Sequence, residues 1–126
     1  MINFNNKKIL ITGATGGIGY ALVKKFVSLN GTIVATGTRT EKLDSLKKEF
    51  PNISVIKFDI SDHSKIEEFI ENATSQLTGL DVVVNNAGIN MDNLSLRMKD
   101  EEWKKVIDVN LTSTFLLAKH SIKKML

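Results

Sequence analysis

Four glycines within seven residues, Gly13, Gly16, Gly17 and Gly19, separate a short apolar run from an amphipathic helical stripe. No other part of the chain narrows the fold as far. The run Lys8-Ile9-Leu10-Ile11-Thr12 has the length and apolarity of a buried strand. From Gly17 to Leu29 apolar residues fall at Ile18, Leu22, Phe26 and Leu29, which is helical spacing. Glycine is needed between the two where the backbone must turn sharply and let an anion approach closely. The helix behind the turn aims its first N–H groups and the positive end of its dipole at that anion. The spacing is Gly-x-x-x-Gly-x-Gly, not the commoner Gly-x-Gly-x-x-Gly, and no Lys-Ser or Lys-Thr follows, which excludes a P-loop. The plainer alternative is a tight turn without a ligand. Four glycines at the first crossover of an α/β pattern favour a bound diphosphate.

The rest of the chain repeats the alternation. Asn30-Gly31 ends the first helix, and Thr32 to Thr36 reads as a second strand. Thr40 is the expected N-cap of a helix through Phe50, with Leu43, Leu46 and Phe50 inward, and Pro51 marks its end. Ile53 to Asp59 is a third strand. A helix from about Ser61 to Leu77 carries Ile66, Phe69, Ile70, Ala73 and Leu77 on one face, with Thr78-Gly79 closing it. Asp81 to Asn85 is a fourth strand, and Asn86 to Leu96 a loop rich in Asn, Gly and Asp. From about Lys99 onward one helical pattern runs to the end through Trp103, Val106, Ile107, Leu111, Leu117 and Ile122. Strands alternating with helices predict a parallel sheet covered on both faces, and right-handed crossovers make it doubly wound. The expected fold is a Rossmann-type α/β domain over residues 1–126, without internal repeat, low-complexity segment or linker.

Composition removes several functional classes. The chain has no cysteine and only two histidines, His63 and His120, far apart, so neither a disulfide framework nor a metal site is expected. Its first residues lack the apolar core of a secretory signal, and no apolar run is long enough to span a bilayer. A cytoplasmic protein is the expectation. The net charge of +3 is spread over lysine pairs without aromatic interleaving, which argues against nucleic acid as a partner. Trp103, Phe115 and the four methionines read as core or interface filling.

The end of the second strand bears on the choice of dinucleotide. A site for NAD normally places an acid there, about 20 residues past the glycines, on the ribose 2′-hydroxyl. Here the sequence is Thr36-Gly37-Thr38-Arg39-Thr40, with no carboxylate before Glu41. Arg39 is instead suited to a bidentate pair with a 2′-phosphate. NADP(H) is therefore expected over NAD(H), the alternative being that Arg39 is a solvated loop residue.

Taken together these residues resemble the short-chain dehydrogenase/reductase family. Its Thr-Gly-x-x-x-Gly-x-Gly motif matches Thr12 to Gly19. Its Asn-Asn-Ala-Gly motif matches Asn85 to Gly88, and its helix asparagine matches Asn110. The stretch Asn86 to Trp103 is most similar to the branch of bacterial 3-oxoacyl-[acyl-carrier-protein] reductases of fatty-acid synthesis. The resemblance implies roles. Gly13, Thr15, Gly16, Gly17, Ile18 and Gly19 would cradle the diphosphate, and Thr38 and Arg39 would meet the adenosine ribose and its 2′-phosphate. Asp59 and Ile60 would flank the adenine, while Asn86, Ala87 and Gly88 would line the wall beside the ribose. Asn110, expected to be buried because of its neighbours Ile107, Leu111 and Thr114, would kink its helix and hold a water of a proton relay. The resemblance also implies a substrate linked to acyl carrier protein and a homotetramer joined through helices that include the one bearing Asn110.

The same family implies a catalytic serine and a Tyr-x-x-x-Lys pair. The only tyrosine lies in Tyr20-Ala21-Leu22-Val23-Lys24, which has that spacing but follows the glycine loop directly, on the diphosphate side. Tyr20 and Lys24 are therefore expected on a helix surface or in partial packing, outside catalysis. The chain is expected to be truncated after the fourth strand and its following helix, leaving that strand as an aggregation-prone edge. Three readings stay open: an NADPH-dependent oxidoreductase, a non-catalytic NADP-binding or regulatory module, and an S-adenosylmethionine methyltransferase. The last is the weakest, because it too would want an acid after the second strand.

Overall fold

The structure is a computed structural model that describes residues 2–126; Met1, one of the methionines read as filling, lies outside them. Four parallel strands form one sheet in the order β3-β2-β1-β4: β1 (Lys8–Ile11), β2 (Thr32–Gly37), β3 (Ser54–Lys57) and β4 (Val82–Val84). In register, Leu10 pairs with Val34 on one side and Val83 on the other. The strands alternate as a two-faced sheet requires. Ile9, Ile11, Ile33 and Ala35 face a core built with Val23 of α1 (Gly17–Ser28) and Leu46 of α2 (Thr40–Glu49). Leu10 and Val34 face the opposite core, filled by Ile66, Phe69, Ile70, Ala73 and Leu77 of α3 (Ile66–Leu77) and Leu117 of α5 (Ser113–Met125). The α/β, doubly wound, parallel architecture agrees with the expectation, and β4 is an edge strand paired only with β1.

Several local readings are corrected. The N-cap of α2 is Arg39, not Thr40, which is the first helical residue. Arg39 has extended backbone, and its side chain turns away from the helix toward the glycine loop. Asn30-Gly31 ends α1 as expected, with Asn30 as the left-handed residue (φ 67°). Gly31 N–H and Asn30 N–H donate to Phe26 and Val27 carbonyls, a Schellman closure. Gly31 is needed for space, since a Cβ there would lie 2.6 Å from Ile9 Cδ1. The helix expected from Ser61 begins as a 3-10 turn at His63–Lys65, because the Asp59 carboxylate accepts the Ser61 N–H and holds the preceding backbone in a side-chain-bonded turn.

The largest correction concerns the final helix, which is three pieces. These are α4 (Asp100–Ile107), a π-turn (Asp108–Thr112) and α5. The π-turn holds because the Ser113 hydroxyl donates within reach of both the Asp108 and Ile60 carbonyls at 2.7 Å, and His63 Nε2 lies 3.1 Å from that same Asp108 carbonyl. The widened turn rotates the two helical stripes relative to one another. Val109 and Leu117 are buried, whereas Trp103, Leu111, Phe115 and Ile122 are exposed. Trp103 and Phe115 are thus not core residues. No helix among the described residues is long and apolar enough to cross a membrane.

Candidate functional site

The chain runs β1 to β2 to β3 toward one edge of the sheet, then returns to place β4 on the other side of β1. Loops leaving β1 and β4 therefore part in opposite directions, and a crevice opens between them at the carboxyl ends of the strands. A cleft of about 540 Å³ lies there. Each strand contributes the residues just past its end. From β1 come Gly13 and Thr15 to Gly19, and from β2 Thr38 and Arg39. From β3 come Asp59 and Ile60, and from β4 Asn86, Ala87 and Gly88. Every residue singled out for the cleft from sequence thus lines one space. Asn110 does not line it.

Thr12 holds the floor. Its hydroxyl donates to the Val84 carbonyl at 3.3 Å and accepts from the Asn86 and Ala87 N–H groups at 3.1 and 3.0 Å. The Asn86 amide donates to the Gly13 carbonyl at 3.1 Å. The glycine loop and the Asn-Asn-Ala-Gly turn are therefore one bonded unit. Gly13 sits at φ 63°, and a Cβ there would lie 2.7 Å from Ala87 Cα, so the contact admits no side chain.

The glycines divide by what requires them. A Cβ on Gly19 would lie 2.0 Å from the Gly13 carbonyl oxygen, so helix packing explains Gly19. A Cβ on Gly17 would meet nothing within 4 Å, and on Gly16 only the Gly13 oxygen at 3.8 Å. Nothing inside the protein explains these two. They keep open the space in front of the first turn of α1, whose N–H groups have no intrahelical acceptor and no side-chain cap. Ile18, which lies on the apolar stripe of α1 and was also singled out for the cradle, is 73% exposed and forms cleft wall. An open floor of unspent N–H groups at a helix N-terminus suits a diphosphate, so the residues present fit a dinucleotide.

Polar side chains mark the two ends. Arg39 Nη2 donates to the Thr15 carbonyl at 3.1 Å and lies 3.3 Å from its hydroxyl, which places the guanidinium at the rim of the glycine loop. The Asp59 Oδ1 accepts from the Ser61 hydroxyl and N–H at 2.7 and 2.9 Å. Those bonds, the hydroxyl first, hold the Asp59 carboxyl below its ordinary value, with Lys105 adding a smaller pull in the same direction. Lys105, Phe58 and Val109 also line the cleft and were not singled out from sequence. Lys105 lay within a reading of paired lysines as a solvated face. Only the break at the π-turn shows which side of the helix meets the cleft.

Asn110 is exposed, against the expectation of burial. Its amide nonetheless has two partners: Oδ1 accepts from the Ile89 N–H at 2.8 Å and Nδ2 donates to the Ile89 carbonyl at 2.6 Å. It clamps one peptide of the loop beyond Gly88. The decoy pair lies elsewhere. The Tyr20 hydroxyl donates to Glu49 at 2.5 Å, and this bond raises its pKa. Tyr20 lines a second groove, of about 300 Å³, between α1 and α2, and not the main cleft.

The model of the short chain dehydrogenase family matches residues 7–126. The chain belongs to this family. Among relatives of the short chain dehydrogenase, the 3-oxoacyl-[acyl-carrier-protein] reductase FabG of Rickettsia conorii is 41% identical over 127 residues, covering 100% of this chain and 51% of that protein. The enzyme of the same name from Aquifex aeolicus is 36% identical, covering 99% and 52%. A crystal structure from Brucella melitensis, titled short-chain dehydrogenase/reductase and glucose/ribitol dehydrogenase, superposes with a TM-score of 0.92 at 31% identity, covering 98% of this chain and 54% of that one. This short chain dehydrogenase spans about half the length of the curated relatives it matches.

Proposed function

We propose that residues 1–126 are the cofactor-binding domain of an NADPH-dependent oxidoreductase, and that the reaction served is reduction of a 3-oxoacyl group on acyl carrier protein to the 3-hydroxyacyl form. The observation that carries the cofactor reading is Arg39, whose guanidinium lies against Thr15 at the mouth of the cleft where an NAD site would carry a carboxylate. Bound there, the dinucleotide supplies the hydride. The first turn of α1 holds the diphosphate, Thr38 and Arg39 take the 2′-phosphate, Asp59 and Ile60 flank the adenine, and Asn86 to Gly88 form the ribose wall. Asn110 fixes the loop that follows that wall. The substrate reading rests on the names of the Rickettsia and Aquifex relatives and on the similarity across Asn86 to Trp103. It places the protein in fatty-acid biosynthesis, in the cytoplasm.

A second reading, binding without turnover by the chain as given, is favoured by the position of its only tyrosine, hydrogen-bonded to Glu49 outside the cleft. Copies of the chain are proposed to associate through the exposed face of Trp103, Leu111, Phe115 and Ile122. The test of the cofactor reading is fluorescence titration with NADPH and NADH. The expected result is tighter NADPH binding that Arg39→Ala removes. Equal affinities, or an Arg39→Ala protein that still prefers NADPH, would overturn it.

A further inference from the structure

We infer that Lys42 is a second cation for the dinucleotide 2′-phosphate, acting beside Arg39; this rests on the NADPH reading above. The groove between α1 and α2 shares the wall Thr15-Gly16-Gly17 with the main cleft, so the two spaces meet at the segment that Arg39 touches. Lys42 lines that groove. It stands in the first turn of α2, three residues beyond Arg39, the N-cap that precedes that helix.

The charges around Lys42 leave it available. Glu49 is the carboxylate in the groove, and it accepts the Tyr20 hydroxyl at 2.5 Å. The raised pKa of Tyr20 keeps that hydroxyl protonated as the donor. Ser45, also in the groove, donates to the Glu41 carbonyl at 3.0 Å. Ion pairs among the described residues join Lys65 with Glu68 and Lys124 with Glu71, and none includes Lys42. Helix electrostatics argue the same way. Arg39 and Lys42 put two cations at the positive end of α2, where the dipole disfavours them. Glu41 in the same turn offsets part of that conflict, and a bound anion would offset more of it. Arg39 has one nitrogen committed to Thr15. A phosphate monoester carries nearly two charges and three acceptor oxygens. A guanidinium fork reaches two of those oxygens, and a lysine on a flexible stem suits the third.

The test compares NADPH, NADH and 2′,5′-ADP binding to the whole chain and to Lys42→Met and Lys42→Arg, by calorimetry or fluorescence. Lys42→Met is expected to weaken NADPH and 2′,5′-ADP about fivefold, the scale of one exposed charge pair, with NADH unchanged. Lys42→Arg is expected to keep most of the NADPH affinity. Unaltered NADH binding serves as the check that the variant is folded. A wild-type chain that prefers NADPH, with that preference unchanged in Lys42→Met, overturns the role of Lys42 and leaves the Arg39 reading standing. A wild-type chain with no preference overturns both.

Discussion

In the glycine loop, the close contacts are met from within the chain. Gly13 packs on Ala87, Gly19 on the Gly13 carbonyl, and the Thr12 hydroxyl bonds the turn after β4. In the arm formed by α4, the π-turn and α5, the larger side chains point the other way. Trp103, Leu111, Phe115 and Ile122 face outward, while the buried side is carried by Val109 on the π-turn and by Ser113, Leu117 and Ser121 on α5. The loop is determined by its own steric demands and leaves one open surface, in front of Gly16 and Gly17. The arm leaves large apolar side chains that its own chain does not cover. Hydrophobic periodicity reports that a face is apolar, and it is silent about whether the partner belongs to the same chain.

The contrast is broken most sharply within the loop itself. Gly19→Val forces a Cβ to 2.0 Å from the Gly13 oxygen and is expected to abolish cooperative thermal unfolding followed by circular dichroism. Gly17→Ala, with nothing within 4 Å, is expected to melt no lower than wild type and to gain about 1 kcal/mol of helix propensity. It should still lose NADPH binding. A Gly19→Val protein that melts like wild type would show that the loop does not set the packing.

Next in size is the arm. Leu117→Ala empties a buried site and is expected to cost about 2–5 kcal/mol in denaturant titrations. Phe115→Ala, at a residue 63% exposed, is expected to change the stability of a single copy by no more than about 0.5 kcal/mol. Its effect should appear in light scattering as a shift toward smaller species. If the two substitutions destabilise alike, the division between inner and outer stripes is wrong. Thr12→Val is smaller again, at about 1–3 kcal/mol, because it strands the Ala87 N–H and leaves the Asn86 N–H only the Val84 carbonyl. The check is hydrogen exchange, which should accelerate at those two amides before it does in β1.

The smallest effect belongs to the Asp59 end of the cleft. Asp59 has a folded-state pKa below its ordinary value of 3.8, so its bonds to Ser61 favour the folded state above that value and are lost as pH falls through the depressed one. Ser61→Ala removes the largest cause. Carbon-detected NMR titration of the Asp59 carboxyl is expected to show its midpoint move upward, and an unmoved midpoint would assign the depression elsewhere.

The four strands, the cover of helices on both sheet faces and the cleft residues from Gly13 to Gly88 were legible because each follows from local pattern. Strand runs end at glycine, at Asp59 or at Asn-Asn, and cleft residues are by topology the ones that follow strand ends. The structure placed other features beyond that reach. The π-turn depends on Ser113, His63 and the Ile60 carbonyl, which are far apart in sequence. Asn110 looked buried because its neighbours are apolar, yet Leu111 turns out to be 64% exposed and Asn110 is fixed by hydrogen bonds alone. Arg39 was legible as a cation after β2, but not as the residue preceding the first turn of α2. Its contact with Thr15 spans 24 positions.

The hydroxyl of Thr12 has one proton and two lone pairs, and the Val84 carbonyl, Asn86 N–H and Ala87 N–H use all three. Its valence toward hydrogen bonding is saturated by the protein itself. A guest in the crevice therefore meets no reactive oxygen at this point of the base. The polar groups left for it to meet include those at the cleft's two ends, Arg39 and Asp59.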